Sequence, residues 1–111
     1  MPEPELEKTI TNQIIRALKG DGYPVVVKIF GNAFQASGLP DLIVIARNGR
    51  FVGLEVKRPK VGRVTPLQDA MLRRINHAGG YAVVVRSVDE ARAAMAAAEN
   101  WADEIIKEGL T

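Results

Sequence analysis

Cysteine is absent from this chain, and His77 is its one histidine. Disulfides and thiolate metal sites are therefore excluded, and a histidine-rich zinc site cannot be built. No apolar run approaches the ~18 residues of a membrane span. The opening Met1-Pro2-Glu3 does not begin a secretory signal, so a cytoplasmic setting is expected. Strong charge of one sign is also missing, since the formal net charge is only +2.

What is present describes one domain spanning residues 1–111, with 47% apolar and 25% charged residues. A core of that size is modest, and oligomerisation is a natural supplement. The charge is unevenly spread. From Arg47 to Arg74 the bases Arg47, Arg50, Lys57, Arg58, Lys60, Arg63, Arg73 and Arg74 face the acids Glu55 and Asp69. That surplus of six leaves the remainder of the chain net acidic. A local basic surface around carboxylates suits a polyanion, although charge alone fits a solvated face equally well.

Residues 4–19 read as an amphipathic helix, with Leu6, Ile10, Ile14, Ala17 and Leu18 on one face and Gly20 and Gly22 as the stop. Val25–Phe30 reads as a strand. Gly31–Gly38 reads as a loop, and Leu39–Ala46 as a central strand. Arg50–Lys57 is a third strand, followed by a basic loop from Arg58 to Val64. Thr65-Pro66-Leu67-Gln68 opens a helix to about Ala78, with Thr65 as N-cap, Pro66 at the first helical position and Gln68 closing a capping box. Tyr81–Arg86 is a fourth strand. Ser87-Val88-Asp89-Glu90 reads as a second capping box, opening an alanine-rich helix to about Glu108. The order predicts an α/β domain, a four-stranded mixed sheet flanked by helices, in which a helical crossover brings the last strand in parallel.

The register of the hairpin between the second and third strands decides whether a site exists. A two-residue turn at Asn48-Gly49 would set Asp41 opposite Val56 and send Asp41 and Glu55 to different faces. A three-residue loop, Arg47-Asn48-Gly49, sets Asp41 opposite Glu55, with Lys57 on the same face. The second register also gathers Leu42, Val44, Ala46, Val52, Leu54 and Val56 into one apolar face, so it is the one predicted. Opposed carboxylates about 5 Å apart at Cβ repel unless a cation or proton lies between them. Separately, Asp41 reads as a turn acid, and Glu55 with Lys57 as a surface pair. Together they suit a divalent metal with a lysine beside it, the chemistry of phosphodiester cleavage.

Gly38-Leu39-Pro40-Asp41-Leu42-Ile43-Val44, Gly53-Leu54-Glu55-Val56-Lys57 and Thr65-Pro66-Leu67-Gln68 together resemble the VRR-NUC family of the PD-(D/E)XK nuclease superfamily. The resemblance runs from the first helix to about Val85. It implies a restriction-endonuclease-like fold and hydrolysis of DNA phosphodiesters with Mg²⁺ or Mn²⁺. It further implies a small homodimeric enzyme similar to Holliday-junction resolvases, acting on branched DNA in a phage or a repair system, with no small-molecule cofactor.

Carried over, the resemblance makes Asp41 and Glu55 metal ligands, with the Val56 carbonyl as a further one. Lys57 becomes the catalytic lysine and Gln68 the helix-borne glutamine. Glu7 is the best match to the first-helix acid, with Glu3 and Glu5 nearby. Arg58, Lys60 and Arg63 are expected on phosphates, which position a substrate without reading its sequence. Phe34 is either a stacking wedge or a core anchor of its loop. His77 reads as structural, at a helix C-terminus. Met95 and Trp101, among alanines, suit a dimer interface or the core equally. The competing reading is a nucleic-acid-binding module of the same fold that does not cleave.

Overall fold

The computed structural model describes residues 3–30, 38–60 and 62–100. Its elements follow in the order α1 (Glu3–Gly20), β1 (Val26–Lys28), β2 (Leu42–Ile45), β3 (Phe51–Val56), α2 (Pro66–His77), β4 (Tyr81–Val85) and α3 (Val88–Glu99). The strands form one sheet in the order β1-β2-β3-β4. The first three are antiparallel neighbours, and β4 joins β3 in parallel after the α2 crossover.

The hairpin takes the three-residue loop. Leu42 pairs with Leu54 and Ile45 with Phe51, and the Ala46 amide donates to the Arg50 carbonyl at 2.9 Å. Gly49 has φ +84°, a left-handed conformation that costs glycine little. The predicted apolar face is the core face. Leu42, Val44, Ala46, Val52, Leu54 and Val56 are all buried there with Ile10, Ile14 and Leu18 of α1. Ala91, Ala94, Met95 and Ala98 of α3 complete that layer, so this face of the alanine-rich helix belongs to the core. The small side chains let α3 approach α1 and the sheet closely. Helix α2 packs on the other face, against β4.

Several boundaries differ from expectation. Strand β1 keeps only Val26–Lys28. Strand β2 starts at Leu42 rather than Leu39, because Pro40 has no N–H for the ladder. Helix α3 closes at Glu99 with Asn100 as C-cap, not near Glu108. Its capping box is only half made. Ser87 caps the Glu90 amide at 3.1 Å, but the Glu90 carboxylate accepts from the Arg86 amide at 3.2 Å instead of from Ser87. Residues 31–37 and 101–111, and with them Phe34 and Trp101, lie outside the described residues. Among the described residues no helix is long and apolar enough to cross a membrane.

Candidate active site

Asp41 sits where β2 begins, and its neighbour Pro40 explains its role. The hairpin register, continued by two residues, places Pro40 opposite Val56. Pro40 cannot donate to the Val56 carbonyl. The Val56 amide, in turn, donates to Asp41 Oδ2 at 2.8 Å. The Pro-Asp pair thus ends the ladder and anchors a carboxylate there by a backbone hydrogen bond.

Glu55 lies beside it on β3 and is 1% exposed. Its Oε1 accepts from Gln68 Nε2 at 2.9 Å and lies 3.6 Å from Lys57 Nζ. Its Oε2 is buried without a hydrogen-bond donor among the described residues. Burial, then the charge of Asp41 and a hydrogen bond to it, push the Glu55 carboxyl up to about 8, against the pull of Lys57. That Asp41–Glu55 hydrogen bond requires a proton on one carboxyl. With both ionised, Oε2 has no donor among the described residues, and a hard cation suits the remaining oxygens.

Gln68 resolves a conflict posed by the sequence. The capping box and the site both lay claim to its one side-chain amide, which cannot easily serve two partners at once. It serves both, because its two ends point apart. Oε1 accepts from the Thr65 amide at 3.0 Å, Thr65 Oγ1 accepts from the Gln68 amide at 3.2 Å, and Nε2 is left for Glu55. The cap sets the amide's orientation, since only oxygen can accept from a backbone N–H. Gly38 holds this helix end close. It has φ +82°, and a Cβ there would overlap the Leu67 carbonyl.

The structure therefore brings Asp41, Glu55, Lys57, Val56 and Gln68 together. Lys57 is largely buried, with 11% of its side chain exposed. Lys60 and Arg63 are exposed and Arg58 half-buried on the loop after β3. Glu7 is half-buried on α1 and is not joined to the pair, for among the described residues no three acidic or histidine side chains converge on one point. His77 is exposed in the last turn of α2, away from the site.

Sequence reasoning missed Arg86, which it took as the last residue of a strand. Its guanidinium donates to the carbonyls of Arg58 at 2.6 Å and Gly62 at 2.8 Å. No local pattern announces such a contact, which links segments 28 and 24 residues apart.

A family model for the VRR-NUC domain matches residues 7–89. Among solved structures, one named a VRR_NUC domain protein is 22% identical with a TM-score of 0.57, over 80% of each chain. Another, named a VRR_NUC domain, is 24% identical with a TM-score of 0.65, over 92% of this chain and 95% of that one. These two likenesses speak for the fold alone. No curated protein matches. The match across most of the chain, on a four-stranded restriction-endonuclease-like sheet, shows that this chain belongs to the VRR-NUC family, a family of nuclease type.

Proposed function

We propose that this protein is an endonuclease that hydrolyses DNA phosphodiester bonds with Mg²⁺ or Mn²⁺. One observation carries the reading. In a carboxylate pair of buried Glu55 and half-buried Asp41, one oxygen, Glu55 Oε2, has no donor among the described residues, while Lys57 and Gln68 both attend Oε1. Asp41 and Glu55 would hold the metal, with the Val56 carbonyl as a further ligand. Glu7, standing apart from the pair, would complete the ligand shell through water. The bound ion would supply Lewis acidity and make water a better nucleophile.

The chain's own residues do the rest. Gln68 holds the Glu55 carboxylate by one oxygen and so keeps the other turned to the site. The Val56 amide does the same for Asp41. Lys57 orients the attacking water and offsets charge gathering on the phosphate as the P–O bond to the leaving oxygen breaks. Lys60 and Arg63, with Arg58, meet flanking phosphates.

The substrate we assign is branched DNA, cut by a homodimer in the cytoplasm. Exposed Val25, Val27 and Phe51 fall, by the strand registers, on the same sheet face as Glu55. They support a second copy packing there, and sedimentation would give its mass.

The deciding experiment offers labelled four-way junction, flap, duplex and single-stranded DNA with Mg²⁺, Mn²⁺ or EDTA. Cleavage is expected with either metal and greatest on junctions, and it should disappear in EDTA and in Glu55→Gln. Folded wild-type protein that binds DNA but cuts none of these would move the reading to the non-cleaving module.

A further inference from the structure

Arg58, Pro59 and Lys60 follow directly on Lys57, and Gly62 lies beside that lysine again. A Cβ added to Gly62 would stand 3.0 Å from Lys57 Cβ and 3.1 Å from the Arg58 amide nitrogen, so the backbone at Gly62 passes close to the base of the lysine side chain. Lys60, near the middle of the loop, has φ 72°, a left-handed conformation that a non-glycine residue adopts at some cost. Such a conformation persists only where surrounding contacts impose it.

Those contacts come from Arg86. One guanidinium nitrogen reaches the Arg58 carbonyl at 2.6 Å and the other reaches the Gly62 carbonyl at 2.8 Å. The two carbonyls stand at the two ends of the loop, so a single planar fork closes it. The fork is itself held in place. Arg86 directly follows β4, whose Val85 carbonyl accepts from the Lys57 amide at 3.0 Å, and the Arg86 amide is tied to Glu90 of α3.

We infer that Arg86 is a positioning residue for cleavage: its guanidinium clamps both ends of the Arg58–Gly62 loop, and the clamped loop fixes Lys57 against Glu55. This rests on the nuclease reading of Lys57. The clamp needs arginine, because an ammonium cannot span two carbonyls with a rigid fork. It acts on the lysine through the loop, since each terminal nitrogen of its half-buried guanidinium gives a hydrogen bond to a loop carbonyl.

The test compares wild type with Arg86→Lys and Arg86→Gln. Cleavage kinetics, the salt dependence of DNA binding and amide hydrogen exchange would be followed. Both variants are expected to exchange faster across the 58–64 loop while core amides stay protected. Their kcat should fall on the order of 10- to 100-fold, as for a misplaced catalytic group, with KM within about twofold. Gly62→Ala, which crowds Lys57 and the Arg58 backbone with the Arg86 side chain unchanged, should lower kcat similarly.

Unchanged exchange in the loop would overturn the clamp. So would a loosened loop with wild-type kcat. A salt slope reduced by about one in the Arg86 variants would mean a direct phosphate contact instead. If wild type cuts no DNA, the nuclease reading fails by itself, and the clamp is judged on the exchange data alone.

Discussion

At the residue scale the site depends on how two carboxylates are kept side by side at little exposure. Burial, and then Asp41, disfavour the charge of Glu55 and push its carboxyl up to about 8 from the ordinary value of 4.5. A carboxyl raised in the folded state binds more protons there than in the unfolded chain. Its contribution to stability is therefore full below about 4.5 and is lost as pH rises through about 8. In EDTA the wild-type protein should lose stability steadily as pH rises across that window. Glu55→Gln should remove the slope, and Mg²⁺ should restore stability to wild type alone at the alkaline end. Denaturant midpoints measured against pH decide this, and a flat wild-type profile would sink the buried-pair account. Lys57 carries a different expectation. Lys57→Ala should leave Mg²⁺-induced stabilisation in place and lower kcat by about 10²-fold or more. Cutting at the wild-type rate would remove Lys57 from the mechanism.

At the scale of elements the N-terminus of α2 is the most exacting feature. Gly38 lies against its first turn in a conformation closed to most side chains, and Gln68 on that turn reaches Glu55. Gly38→Ala should cost about 1–3 kcal/mol from backbone strain and also displace Gln68. Cleavage should then fall even under conditions where the variant is fully folded. Thr65→Ala separates the two effects, because it removes the cap, worth about 1 kcal/mol, while leaving Gly38 untouched. If Gly38→Ala cleaves like Thr65→Ala at equal stability, close approach at Gly38 does not serve the site. Side chains occupy part of the outer edge of β4. Asn76 pairs with both the amide and the carbonyl of Ala82, each at 2.8 Å, and Glu90 takes the Arg86 amide. An edge so occupied is a poor template for strand addition.

At the scale of the molecule the two ends of the sheet divide their tasks. One end holds Asp41 and Glu55. The other is tied by a polar knot, where Arg47 donates to the Tyr23 hydroxyl at 2.7 Å and stacks on its ring. Tyr23 donates to Glu99 at 3.0 Å. Arg92 joins Asp21 at 2.8 Å. The knot links the end of α1, the hairpin and α3, at the end of the sheet away from Asp41 and Glu55. Arg47 and Arg50, counted above in the basic stretch, are engaged here in protein contacts. DNA binding therefore falls to fewer bases than the composition suggests. Replacing Lys60 and Arg63 by Ala should reduce the slope of log affinity against log salt by about two, measured by anisotropy over a salt series. An unchanged slope would place the DNA elsewhere.

Much of this was legible without a structure because it is periodic or local. The 3.6-residue spacing of Ile10, Ile14 and Leu18 marks a helix face, and alternation along Leu42–Val56 marks a core face. That alternation also selected the three-residue hairpin, since a one-residue slip would expose the whole apolar set. Asp41 opposite Glu55, with Lys57 alongside, follows from the same register. The Thr65–Gln68 cap is a four-residue pattern and was equally readable. Tertiary structure alone decided which distant groups meet: the second hand of Gln68 on Glu55, the donorless Glu55 Oε2, the Arg86 fork and the knot around Tyr23. Each joins segments far apart in sequence, and no local energy favours one such pairing over another. Only the packed helices and sheet bring those side chains within the ~3 Å reach of a hydrogen bond.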